Sequence, residues 1–259
     1  MEQYALITGA SKGIGRSIAI ALAKRKYNLL LVARSAPELS ALKLELSAQY
    51  GISVEVYPID LSVRGSAKLV ATWCNDNAFP VAVLVNNAGF GVWGKFDSLS
   101  IDEQLNMLQL NITALTELTY YLLPLLKRNQ QGYVLNVSST AAYQAVPTLA
   151  MYAASKSYVL SFSRAIRYEL KDSSVSVTCI SPGPVGTGFA ERAGLSVIND
   201  IAEKFNMDAN VVAEIGVKAM FNKRAEVIPG FTNIISAYAN RILPKSLIEK
   251  ITAGIYKLK

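Results

Sequence analysis

Histidine is absent from this chain of 259 residues. No Ser–His–Asp triad, Cys–His pair or His-bearing zinc site can form, so acid–base chemistry falls to Tyr, Lys, Asp, Glu or Cys. Cysteine is nearly absent too. Cys74 and Cys179 lie inside apolar runs without the partner spacing of a metal site, which predicts no metal and reads as two buried, reduced thiols of a cytoplasmic protein. Charge is scarce at 17% of residues, with a net excess of +7. The basic residues are scattered and lack interleaved aromatics, so no nucleic-acid partner is expected. No apolar run is long enough to span a bilayer. Met1 leads straight into Tyr4-Ala5-Leu6-Ile7 with no basic n-region or cleavage site, so no signal peptide is expected.

What the chain does have is apolar residues, 51% of the total, enough for one large core. Short apolar runs alternate with amphipathic stretches. Strands are expected at 3–8, 28–33, 52–57, 81–85, 133–138, 175–180 and 225–228. Helices are expected near 13–26, 36–49, 62–76, 101–128, 152–171 and 209–222. Runs such as Leu29-Leu30-Leu31-Val32 are apolar at every position, as in strands buried on both faces of a parallel sheet. Ser100 and Glu103 form a capping box ahead of the long central helix. The alternation predicts a three-layer, doubly wound α/β fold in a single domain over 1–259. Gly9, Asn86, Ser139 and Pro182 each follow directly after an apolar strand, so four distant clusters converge where such sheets bind ligands.

The first cluster reads Thr8-Gly9-Ala10-Ser11-Lys12-Gly13-Ile14-Gly15 and opens a helix. Glycines let the backbone approach a pyrophosphate, and the helix N-terminus offers it free amides. The spacing is G-x-x-x-G-x-G rather than G-x-G-x-x-G, and a plain strand–helix turn would read the same way if it stood alone. At the end of the second strand, where an Asp or Glu would bind a ribose 2′-hydroxyl, the chain reads Val32-Ala33-Arg34-Ser35 with no acid before Glu38. Arg34, with Lys12 and Ser11 nearby, suits a 2′-phosphate instead, which favours NADP(H).

At the other end, Tyr152-Ala153-Ala154-Ser155-Lys156 puts a phenol and an ammonium one helical turn apart on one face. A phenol has an ordinary pKa near ~10, and a neighbouring ammonium favours its ionised form, which makes it usable in proton transfer. Of the thirteen tyrosines, only Tyr152 has Lys four residues later. Ser139, thirteen residues upstream at the end of a strand, is placed to hydrogen-bond a carbonyl oxygen.

Thr8-Gly9 with Gly13-Ile14-Gly15, Asp60, Asn86-Asn87-Ala88-Gly89, Asn111, Ser139, Tyr152, Lys156 and Pro182-Gly183 occur in one order and spacing. Over residues 3–190 the chain thereby resembles the NADP-preferring branch of the short-chain dehydrogenase/reductase family. The resemblance implies a seven-stranded parallel Rossmann sheet of order 3-2-1-4-5-6-7. It also implies roles. Tyr152 would protonate the substrate oxygen, Lys156 would assist it and hold the nicotinamide ribose, Ser139 would orient the carbonyl, and Asn111 would hold a relay water. Asp60, with Leu61, would border the adenine. Asn87, Ala88 and Gly89 would line the ribose. Pro182, Gly183, Val185 and Thr187 would hold the carboxamide. Structural readings stand beside these: Asn86 tying strands together, Asn111 satisfying a backbone carbonyl, and Asp60 or, better, Ser62 capping the next helix. The family's usual glycine after the serine strand is Ala142 here.

Specificity is expected from Phe90-Gly91-Val92-Trp93, Thr140 to Thr148, and Phe189 to Ser196. Phe90, Trp93, Tyr143, Leu149, Phe189 and Leu195 suggest an apolar pocket for a hydrophobic ketone, aldehyde or 3-oxoacyl group. The segment 230–259 is basic and amphipathic, with apolar stripes Ile234, Tyr238, Ile242 and Ile248, Ile251, Ile255, Leu258 on either side of Pro244. Narrow stripes without strong interfacial anchors predict packing on protein, in a homodimer or homotetramer, rather than membrane contact. The leading reading is an NADPH-dependent reductase of a small carbonyl compound. The rivals are a non-catalytic NADPH sensor, which has no need of a proton relay, and a membrane-associated lipid or acyl reductase.

Overall fold

Seven strands form one parallel sheet in the computed structural model, which describes residues 3–188, 193, 206–240 and 242–255. They are β1 (Tyr4–Thr8), β2 (Asn28–Ala33), β3 (Val54–Pro58), β4 (Val81–Asn86), β5 (Gly132–Val137), β6 (Val175–Ile180) and β7 (Glu226–Val227). Their spatial order is β3-β2-β1-β4-β5-β6-β7. The order reverses at β1, which pairs with β2 on one side and β4 on the other. That topological switch point opens a crevice at the carboxyl ends of the central strands. The fold is the doubly wound Rossmann arrangement.

Helices cover both faces: α1 (Gly13–Lys24), α2 (Ala36–Tyr50), α3 (Ser66–Asp76), α4 (Ile101–Leu108), α5 (Leu115–Lys127), α6 (Ala150–Glu169) and α7 (Ala209–Phe221). The alternation within β2 shows why two layers form. Leu29 and Leu31 pack with Ile18, Leu22, Leu39 and Met220, whereas Leu30 and Val32 pack with Val70, Cys74, Leu118 and Leu122. All four β2 side chains are fully buried, so truncating one to Ala would cost about 2–5 kcal/mol. Successive residues point to opposite faces, and only an apolar residue at every position fills both layers.

Two expected helices begin or run differently. The helix expected at 62–76 starts at Ser66, with Gly65 as its N-cap residue. Asp60 Oδ1 instead accepts from the Ser62 amide at 2.9 Å and from its hydroxyl at 2.7 Å. This Asx turn holds both candidate caps away from the helix end. The central helix is also interrupted, because Gln109–Ala114 form a π-turn between α4 and α5. One extra residue per turn leaves the apolar pattern nearly intact, so the periodicity gave no warning. Ser100 does cap α4, with Oγ accepting the Glu103 amide at 3.5 Å.

Two more helices follow β7: α8 (Phe231–Ala239) and α9 (Lys245–Ile255). Here the first apolar stripe lies at the surface of the single chain. Ile234, Tyr238 and Ile242 are 38%, 48% and 84% exposed, while Ala237 and Ile248 are buried. Polar anchors set the orientation of α8: Asn240 Nδ2 donates to Gln144 Oε1 at 2.9 Å, and Asn233 Nδ2 donates to the Pro229 carbonyl at 2.7 Å. The face carrying these Asn residues and Ala237 turns inward, and the isoleucine row turns out. Leu258, Phe189 and Leu195 lie outside the described residues. Among the described residues no helix is long and apolar enough to cross a membrane.

Candidate active site

The glycine turn sits at the switch point, between β1 and α1. Gly9 holds φ +65°, a left-handed conformation that glycine adopts without strain. Gly15 is held by close approach instead. A Cβ there would collide with the Gly9 carbonyl oxygen and lie 2.5 Å from Asn87 Nδ2. Asn87 donates that amide to the Thr8 carbonyl at 2.9 Å and the Gly9 carbonyl at 3.2 Å. Thr8 Oγ1 accepts from the amides of Asn87 and Ala88, both at 3.0 Å, and donates to the Val85 carbonyl at 3.2 Å. Asn87 and Ala88, expected at the ribose, therefore also lock the glycine turn to the β4 loop. Asn86 ties β4 to its neighbours, donating to Asn136 Oδ1 at 2.9 Å and Thr119 Oγ1 at 3.0 Å.

The arrangement fits a dinucleotide. No side chain caps the first turn of α1, so its amides remain available to an anion such as a pyrophosphate. Gly13 lies against Thr187, which brings the loop after β6 over the turn, since a Cβ on Gly13 would lie 2.9 Å from Thr187 Cβ. At the far end Arg34 stands 3.7 Å from Asp60 and Lys12 stands 3.4 Å from Glu38. Both pairs are substantially exposed, where such contacts contribute only ~0–1 kcal/mol, so either cation can turn to a 2′-phosphate at small cost. Leu61 and Ile14 pack into the apolar clusters. Their side chains belong to the core, which leaves main-chain groups to meet a ligand.

Lys156 is the electrostatic centre of the catalytic end. Nζ donates to the Val137 carbonyl at 3.0 Å and lies 5.8 Å from the centroid of the Tyr152 ring. A Cβ on Gly89 would lie 3.4 Å from Nζ and 2.9 Å from Asn111 Oδ1, so Lys156, Asn111 and Gly89 share one corner. Burial lowers the Lys156 pKa to about 8, partly opposed by Cys179, because low dielectric penalises the charged form. Ser138 Oγ donates to the Lys156 carbonyl at 2.8 Å and pins the start of α6 to β5. Ser139 Oγ accepts from the Ala141 amide at 3.1 Å.

Asn111 occupies the π-turn, a feature common at functional sites. Its Oδ1 accepts from the Phe90 amide at 3.1 Å, and its Nδ2 donates to the Phe90 carbonyl at 2.9 Å and to Ser155 Oγ at 3.0 Å. It therefore welds the β4 loop to the helix bearing Tyr152. The two cysteines stay protonated, since burial pushes Cys74 to about 12 and Cys179 to about 11.

A family model described as short chain dehydrogenase matches residues 3–198. The chain belongs to the short-chain dehydrogenase/reductase family. It is 30% identical over 241 residues to human 17-beta-hydroxysteroid dehydrogenase type 3, covering 92% of this chain and 77% of that protein. It is 30% identical over 226 residues to the ketoacyl reductase HetN of Nostoc sp., covering 86% and 77%. Among solved structures, a short-chain dehydrogenase from Sphingobium yanoikuyae in complex with NADPH superposes with TM-score 0.82 at 26% identity, covering 100% of this chain and 96% of that one.

Within this short-chain dehydrogenase the expected pocket needs one correction. Tyr143 is no apolar liner: its hydroxyl donates to Glu226 Oε1 at 2.5 Å and lies 3.2 Å from Ser181 Oγ, and burial raises its pKa. Phe90 and Leu149 do pack together, with Val92, Met107, Val146, Tyr152 and Ala153, and Trp93 lies against them. Sequence reasoning missed Ser138, Ser155, Asn233 and Glu226 as supports of the site. Asn233 packs over Gly183, where a Cβ would meet its Nδ2 at 2.6 Å. Serines beside a catalytic pair carry no signal of their own, and the last two come from elements distant in the chain.

Proposed function

We propose that this protein is an NADPH-dependent carbonyl reductase acting on a hydrophobic ketone, aldehyde or 3-oxoacyl group. The observation that carries this reading is the buried Lys156 ammonium, set between the Val137 carbonyl, the Tyr152 ring and the corner formed by Asn111 and Gly89. When bound, the nicotinamide supplies the hydride that adds to the carbonyl carbon. Ser139 donates a hydrogen bond to the carbonyl oxygen and orients it. Tyr152 passes its hydroxyl proton to that oxygen as negative charge develops. The Lys156 ammonium stabilises the phenolate left behind, and Asn111 fixes a water through which the proton is replaced. Gly9, Ser11, Gly13, Ile14 and Gly15 hold the pyrophosphate, largely through main-chain groups. Arg34 and Lys12 pair with the 2′-phosphate. Asp60 and Leu61 border the adenine. Asn87, Ala88 and Gly89 line the ribose, and Pro182, Gly183, Val185 and Thr187 hold the carboxamide.

The names of relatives support the substrate class, one being a hydroxysteroid dehydrogenase and another a ketoacyl reductase. We read the working form as a cytoplasmic homodimer or homotetramer with a small-molecule substrate. The sensor reading is disfavoured, because binding alone needs no proton donor with a buried ammonium beside it. NADPH consumption measured against ketones, aldehydes and 3-oxoacyl thioesters tests the proposal. Turnover of at least one class is expected, and tight NADPH binding with turnover of none would leave the sensor.

A further inference from the structure

We propose that Tyr143 and Glu226 form a positioning pair, which fixes the turn carrying Ser139 against the helix carrying Tyr152. The proposal rests on the reductase reading of the site and deepens it, naming two residues that act through Ser139 rather than on the substrate.

The need for a brace comes from the shortness of the turn. Ser139 opens a single 3-10 turn, Thr140–Tyr143, which is too short to hold its own geometry. Contacts from outside set its place. The Thr140 amide donates to the Pro182 carbonyl at 2.9 Å, and Ser157 Oγ donates to the Ala142 carbonyl at 2.7 Å. The end of the turn is held by a side chain. The Tyr143 hydroxyl donates to Glu226 Oε1 at 2.5 Å, a length typical of strong, charge-assisted O–H···O⁻ bonds. The Glu226 side chain is only 16% exposed, so water competes weakly for it.

A second partner gives the pair its direction. Glu226 Oε2 accepts from Arg164 Nη1 at 2.9 Å, and Arg164 lies on α6, the helix of Tyr152 and Lys156. Glu226 is the β7 residue in register with Cys179 of β6, so it reaches both partners from the edge of the sheet. One carboxylate thus grips the Ser139 turn with one oxygen and the Tyr152 helix with the other. In the proposed reaction Ser139 and Tyr152 bond the same substrate oxygen, so their relative placement governs the rate. A shift of about 1 Å in such a site can cost ~10²-fold. Ser139 Oγ already accepts the Ala141 amide at 3.1 Å, which leaves its hydroxyl hydrogen for the carbonyl. Any movement of the turn carries that donor away.

A double-mutant cycle separates positioning from general support. The readout is the single-turnover rate of NADPH oxidation with a saturating ketone. Tyr143→Phe removes only the hydroxyl and should lower the rate about fivefold to thirtyfold, with NADPH affinity within about twofold of the parent. Ser139→Ala should cost about 10²-fold or more. Added to Ser139→Ala, Tyr143→Phe should cost less than about twofold further, because residues acting as a unit are not additive. Glu226→Ala should slow the reaction at least as much as Tyr143→Phe, and the two together no more than Glu226→Ala alone. Equal losses from Tyr143→Phe with and without Ser139 would overturn the proposal, as would a Phe variant at the parent rate.

A second measurement does not depend on turnover. The Ala141 and Ala142 amides are both bonded to Ser139. In Tyr143→Phe or Glu226→Ala their hydrogen exchange should speed up about tenfold more than that of Val134 and Leu135 in buried β5. Exchange in the turn that rises no more than in β5 would sink the brace. A parent protein that reduces no ketone would count against the reductase reading, while the exchange rates would still decide whether the pair fixes the turn.

Discussion

Raising the pH through the Lys156 titration perturbs the proposed machinery without changing a residue. Burial lowers the pKa of Lys156 to about 8, against an ordinary 10.5. At pH 7 about 90% of the free enzyme then carries the ammonium, and at pH 9 only about 10% does, whereas an unshifted lysine would lose about 3% at pH 9. If the ammonium is required, kcat/KM for NADPH, which reports the free enzyme, should fall about tenfold between pH 7 and pH 9. Lys156→Arg, whose guanidinium stays charged, should lower activity overall but flatten that decline. The same shift bears on stability. The folded pKa lies below the unfolded one, so below pH 8 both states are protonated and the folded state bears the full cost of a buried charge. Between pH 8 and 10.5 the folded state sheds the proton first, and stability rises by up to about 3 kcal/mol from this group. The advantage of a cofactor-free Lys156→Met variant over the parent in denaturant melts should therefore shrink across that window. A kcat/KM profile that stays flat to pH 10, together with a stability difference independent of pH, would refute the reasoning.

Three further outcomes follow from the geometry. Arg34→Asp removes the cation facing a 2′-phosphate and supplies a ribose acceptor, so the ratio of NADPH to NADH affinity should fall by about tenfold to a hundredfold; equal affinities in the parent would contradict the assignment. Gly15→Ala drives a methyl into the Gly9 carbonyl and Asn87, and should cost about 1–3 kcal/mol in melts and weaken NADPH binding at least about tenfold; unchanged binding by titration would show that the turn is not the cofactor cradle. Asn111→Ala removes three hydrogen bonds to Phe90 and Ser155 and should destabilise by about 2–4 kcal/mol at roughly 1 kcal/mol per bond; a shift in denaturation midpoint near zero would mean that the weld carries no load.

The fold was legible because its strands are apolar at consecutive positions. The runs at 28–33 and 175–180 are the observed β2 and β6 to the residue: Leu29 to Ala33 are apolar at every position, and in β6 the buried Ser176 and Thr178 sit among β-branched and apolar neighbours. The site was legible where chemistry needs a particular side chain: Tyr152 with Lys156, the glycine turn, and the missing acid after β2. What remained hidden depends on main-chain partners and on orientation. Lys156 is held by the Val137 carbonyl and Asn111 by the Phe90 backbone, and a carbonyl has no residue type to read. The π-turn left the apolar periodicity nearly unchanged. The outward isoleucine row of α8 follows from the long-range pairing of Asn240 with Gln144, which a helical stripe cannot reveal. Tyr143 looked like an aromatic pocket wall because its partner, Glu226, lies 83 residues away.

The central claim is that Tyr152 donates the proton during NADPH-driven carbonyl reduction. Tyr152→Phe keeps the ring in the apolar cluster and removes only the hydroxyl. The direct test is the single-turnover rate of NADPH oxidation with a ketone the parent reduces, taken with NADPH affinity by titration for both proteins. The account predicts a rate about 10²–10⁴-fold lower in the variant, with NADPH affinity within about twofold of the parent. A Phe variant that oxidises NADPH at the parent rate would contradict it.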